Sequence, residues 1–170
     1  MEDITYLPHV TFLTISVIRG EHIFGASLFH VLRLCTRIKK LSLNLQLRRF
    51  LKEHSPCQPG CYCEQPTNWK TEELLLDRLR EADVSILEGC EDEIVFLKLL
   101  FNWAPVLEKM TIFFDISMGY SKAMELCQTI SSFSRPETCV KFYMYDHAAT
   151  STIMLQQDEF PCLHQKTKAP

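Results

Sequence analysis

Residues 104–114, APVLEKMTIFF, place Ala104, Leu107, Met110, Ile112 and Phe114 at relative positions 0, 3, 6, 8 and 10. The run ends in alternation, the period of a strand with one buried face. The same spacing recurs at Leu76, Leu79, Ala82, Val84 and Ile86, and at Cys35, Ile38, Leu41, Leu43 and Leu45. A further copy is Leu7, Val10, Leu13, Ile15 and Val17. The copies begin at 7, 35, 76 and 104, in steps of 28, 41 and 28 residues. A fixed period of this length is the mark of a repeated supersecondary unit. The middle step is longer by 13 residues, and the surplus falls at Cys57–Trp69, CQPGCYCEQPTNW. That stretch reads as a Pro-stiffened insertion outside the repeating core.

Between strands the period turns helical. Glu91–Trp103 carries Phe96, Leu99, Leu100 and Trp103 at helical spacing, with an acidic first turn that suits the helix dipole. Pro105 ends it, because a residue before proline resists the α region. Tyr120–Phe133 is a second helix, with Ala123, Leu126, Cys127, Ile130 and Phe133 on one face, and 22–34 holds a third. Val140, Phe142 and Met144 mark a fifth strand after Pro136.

The fold expected is α/β, a leucine-rich-repeat-like solenoid of four to five degenerate strand–helix repeats with a Cys/Pro-rich insertion loop. The repeats are degenerate because Ile18, Gln46, Leu87 and Asp115 stand where regular repeats ladder asparagines. Two repeats occupy 1–55, the insertion 56–70 and a continuation of the repeats 71–146. Residues 147–170 are polar without a period, and an unstructured tail is expected there.

The totals narrow the classes of function. A net charge of −3 gives no pull toward nucleic acid or acidic membranes. The start, MEDITYLPHV, lacks the basic and apolar regions of a signal peptide, and no apolar run nears the length of a membrane span. Eight cysteines in that setting point to thiols in a reducing compartment, cytoplasmic and/or nuclear.

Three stretches carry a resemblance: CQPGCYCEQPTNWKTEELLLDRLREADVSILEG, EIVFLKLLFNWAPVLEKMTI and ELCQTISSFSRPETCVKFYMY. Together they resemble the leucine-rich-repeat and FBD region of plant F-box proteins, most specifically at Pro66–Trp69, Ala104–Leu107 and Ser132–Pro136. The resemblance spans about residues 1–145 and implies an FBD-like domain over 71–146. It also implies a role in target recognition for ubiquitin ligases, whose F-box helices bind a Skp-type adaptor. No F-box precedes the first repeat, so adaptor binding is not expected of this chain.

Chemistry-bearing motifs are sparse. His54, Cys57, Cys61 and Cys63 are the one metal-ligand candidate set, an alternative reading as a metal- or thiol-dependent binding protein. Structural zinc sites pair two short motifs, and only one cluster is present. The six histidines (His9, His22, His30, His54, His147 and His164) fall in no catalytic frame, and no phosphate-binding glycine loop occurs. The expectation is a non-catalytic protein-binding module without a cofactor; a truncated product without independent function is a further alternative. The bound target is not legible.

The repeat itself nominates the site. Residues between core positions must face the opposite, concave side of the sheet. The binding residues expected there are Lys40 and Asn44; Asp83 and Ser85; Lys109, Thr111 and Phe113; and Lys141, Tyr143 and Tyr145. Of these, Phe113, Tyr143 and Tyr145 are the expected hot spot, since aromatic residues dominate interface centres.

Overall fold

The computed structural model describes residues 9–19, 24–47, 69–146 and 151–157. The chain is α/β; the described residues form six strands: β1 (Phe12–Arg19), β2 (Lys40–Leu47), β3 (Glu81–Leu87), β4 (Lys109–Asp115), β5 (Cys139–Asp146) and β6 (Ser151–Gln157). Three α-helices among them join the strands, α1 (Phe24–Leu34), α2 (Glu91–Trp103) and α3 (Tyr120–Ser131). The strands form one sheet in chain order, β1 to β5 parallel and β6 antiparallel to β5.

The register aligns the apolar alternation of every strand. Leu13 pairs with Leu41, Leu41 with Ala82, Ala82 with Met110 and Met110 with Val140. Two residues on, Ile15, Leu43, Val84, Ile112 and Phe142 form the next row. These rows bury against Leu28, Phe29 and Leu32 of α1, Phe96, Leu97 and Leu100 of α2, and Ala123, Cys127 and Ile130 of α3. Phe114 and Phe142 stack within the core, 6.1 Å between centroids and 2° from coplanar. A one-residue slip would turn each strand's apolar set outward, so packing and register enforce one another.

A backbone ladder repeats with the strands. Turns at Cys35–Ile38, Leu76–Leu79, Ala104–Leu107 and Arg135–Thr138 each close with the fourth amide donating to the first carbonyl, at 3.0 to 3.3 Å. Pro105 and Pro136 occupy the second turn position, where their fixed φ suits the turn. One residue after each of the first three turns, a carbonyl receives the next unit. The Lys39 carbonyl accepts the amides of Arg80 at 2.9 Å and Glu81 at 3.1 Å; that of Arg80 accepts Glu108 at 2.8 Å and Lys109 at 3.0 Å. Thr11 does the same for Lys39 and Lys40, at 2.7 and 3.1 Å. The last turn sits one residue later, and the Thr138 hydroxyl donates to the Leu107 carbonyl at 2.8 Å.

The end of α2 is held by its neighbours. Its last carbonyls have no intrahelical donors. The Leu76 amide donates to Trp103 O at 2.7 Å. The Arg135 guanidinium donates to Phe101 O and Ala104 O, each at 3.1 Å, placing a cation at the negative helix end. Arg135→Ala is therefore expected to lower unfolding free energy by about 2 kcal/mol, and Arg135→Lys by about 1, since lysine lacks the fork. Urea denaturation measures both; an unchanged midpoint for the alanine variant would sink the capping role.

Two expectations need correction. Trp69 does not belong to an insertion outside the core: it is buried at 4% exposure. Its indole lies on α1 at Gly25, where an added Cβ would stand 2.1 Å from two ring atoms. The adjacent Lys70 lies 5.6 Å from the ring centroid and pairs with Asp92 of α2 at 2.8 Å. Residues 69–80 thus clip α1 to α2 in the long connection between β2 and β3.

The second correction concerns the tail. Residues 151–157 form β6, whose backbone pairs with β5, while Leu155 packs against the core. Backbone pairing on an edge does not require the alternation that the sequence lacks there.

The thiols divide. Cys35 and Cys127 are buried and Cys90 half-buried, each outside any disulfide, whereas Cys139 is disulfide-bonded. Burial raises the pKa of Cys35. The candidate ligands His54, Cys57, Cys61 and Cys63 lie outside the described residues, as do Pro66 to Asn68.

Candidate functional site

The face of the sheet turned away from the helices carries polar side chains and rings. Register arranges them in rows. Lys40, Glu81 and Lys109 stand side by side; next come Ser42, Asp83, Thr111 and Lys141; then Asn44, Ser85, Phe113 and Tyr143. Strand alternation puts them on the face opposite the core rows.

The rows differ in what they leave available. Lys40 Nζ lies 3.2 Å from Glu81 and 3.5 Å from Asp83. Its hydrogen bond to Glu81, with the charge of Asp83 beside it, raises the lysine pKa. On the β2–β3 part of the face one ammonium thus faces two carboxylates, and Asp83 also borders the neighbouring depression. On the β4–β5 part, Phe113 and Tyr143 stack with centroids 5.3 Å apart at 21°. Opposite Tyr143, Met154 of β6 is 51% exposed and extends the apolar row.

An open depression of about 560 Å³ lies across β2 to β6. Asp83, Ser85, Lys109, Thr111, Phe113, Lys141 and Tyr143 line it, seven of the residues nominated from sequence. Ser42 and Thr152 complete it. Lys40, Asn44 and Tyr145 stay off its lining. Tyr145 is instead paired in register with Asp115, a buried residue whose Oδ1 accepts from the Ser117 amide at 2.8 Å. Asn44 keeps its Oδ1 buried with no hydrogen-bond partner among the described residues.

Sequence reasoning passed over Thr152 because it lies in the stretch expected to be unstructured. The available signal was the β-rich run Thr152–Leu155. The depression offers hydroxyls, two ammonium groups, the Asp83 carboxylate and a ring stack, which are groups for binding by hydrogen bond, charge and apolar contact. Among the described residues no helix is long and apolar enough to cross a membrane, and no three His, Cys, Asp or Glu side chains converge as a metal cluster. No protein-family model, no curated protein and no solved structure matches the chain.

Proposed function

We propose that the chain is a protein-recognition module, built as a short solenoid of degenerate leucine-rich repeats, that holds its partner on the open face of the sheet. The observation that carries this reading is the depression with its stacked Phe113 and Tyr143 wall. Rigid aromatic side chains give large contact area with little entropy to lose, which is why they dominate interface hot spots. The solenoid reading draws support from the strand order, the parallel run β1 to β5 and the recurring turn and carbonyl ladder. Solenoids use such extended faces for binding. With the resemblance to F-box receptors, the partner would be a protein of the kind that the target-recognition part of such receptors holds.

The double variant Phe113→Ala/Tyr143→Ala tests the site. Both side chains are half-buried on the open face, so the circular dichroism spectrum should be retained. Recovery of a specific cross-linked protein partner should fall at least about tenfold. Equal recovery by the wild type and the variant removes the open face from consideration.

A further inference from the structure

We infer that the partner presents an acidic side chain to the open face, with an apolar or aromatic residue two positions away in an extended segment. This rests on the proposed protein-binding role and names the chemistry of the partner. Three observations converge on it.

The first is charge. Glu81 and Asp83 are both engaged by Lys40. Lys109 and Lys141 line the depression, and no described carboxylate lies within ion-pairing distance of either. The β4–β5 part of the face is therefore cationic on a chain whose net charge is −3.

The second is placement. Lys141 pairs in register with Thr111, two residues beyond Lys109 on β4. Strand spacing and rise put the two lysine Cα atoms on the order of 8 Å apart, within reach of one anion between two long side chains. The buried Thr111 lies between them on the floor.

The third is the wall. Phe113 and Tyr143 stand two residues further along the same strands. In an extended peptide, residues i and i+2 point the same way and lie about 6.5 Å apart. A carboxylate at Lys141, with the long Lys109 side chain reaching it from one row back, thus brings the side chain two positions on over the ring stack. Lysine attracts the anion as a point charge without dictating bidentate geometry, so the ring stack supplies the orientation.

The test uses the full chain and short capped peptides of the pattern Glu-Xaa-Phe, with Gln-Xaa-Phe and Glu-Xaa-Ser peptides as comparisons, followed by fluorescence anisotropy. The Glu-Xaa-Phe peptide should bind roughly tenfold more tightly than either comparison, and its affinity should fall as salt rises. Lys109→Gln/Lys141→Gln should abolish the preference for Glu over Gln while binding of the Gln peptide persists. Equal binding of the Glu and Gln peptides overturns the inference, as does absence of binding by all three. Partner capture that depends on Phe113 and Tyr143 but is indifferent to Lys109→Gln/Lys141→Gln would leave the recognition face standing and remove only its acidic specificity.

Discussion

Trp69→Ala is expected to destabilise the fold by about 3–5 kcal/mol, the range for truncating a large buried aromatic side chain. The residue is buried against α1 at Gly25, and the following Lys70 ties the same segment to α2 through Asp92. Gly25 supplies the sharper test. In the wild type, Gly25→Ala drives a Cβ into the indole, and overpacking of this kind costs about 1–3 kcal/mol. In the Trp69→Ala background the obstacle is gone, and alanine becomes the better helix former by up to about 1 kcal/mol. The effect of one substitution should thus change sign with the other, a coupling that urea denaturation of the four proteins measures directly. The same effect of Gly25→Ala in both backgrounds would mean that the indole does not rest on α1.

The second large effect is expected at Glu93. Its carboxylate is buried at the start of α2, and Oε2 accepts the amides of Glu88 at 3.1 Å, Gly89 at 2.8 Å and Cys90 at 3.1 Å. These amides gather on one acceptor because Gly89 adopts a φ of 75°, a conformation that side chains disfavour. A Cβ there would also stand 2.4 Å from Leu126 Cδ1 on α3. Glu93→Ala strands a group of partly buried donors and is expected to cost about 3 kcal/mol; Glu93→Gln, which keeps an acceptor without the charge, about 1. Denaturation midpoints decide this, together with loss of amide hydrogen-exchange protection at 88–90. An alanine variant as stable as the wild type would remove Glu93 from the support of this turn.

Legibility in the sequence followed the range of the forces involved. The strand phase is local: residues such as Leu41, Leu43 and Leu45 alternate, and the sheet register repeats that alternation across five strands. Helix α2 was equally readable, since its acidic start and the proline after its end are encoded in place. Trp69 was misread because its socket is a glycine far back in the chain, and the Cys/Pro-rich residues before it give no period. Glu93 resembled its neighbours Glu91 and Asp92, and only the turn folding back over it distinguishes a buried acceptor from surface charge. On the open face, Lys40 and Lys109 look alike as sequence; the carboxylates beside Lys40 alone separate them. β6 has neighbouring exposed residues, Ile153 and Met154, and so lacks the contrast on which alternation depends.

The reversal at β6 gives the sheet a polarity. From Thr11 to Arg80 each carbonyl before a strand is a socket for two amides of the following unit, while that of Glu108 receives one, from Cys139. Beyond β5 the chain runs the other way, so a parallel unit cannot dock on β6 by the same contact. Among the described strands only the β1 side matches that chemistry, and what joined there would have to bring the carbonyl. Extension of this array by its own ladder is consequently one-directional, like a stack of cups that accepts a new member at one end alone.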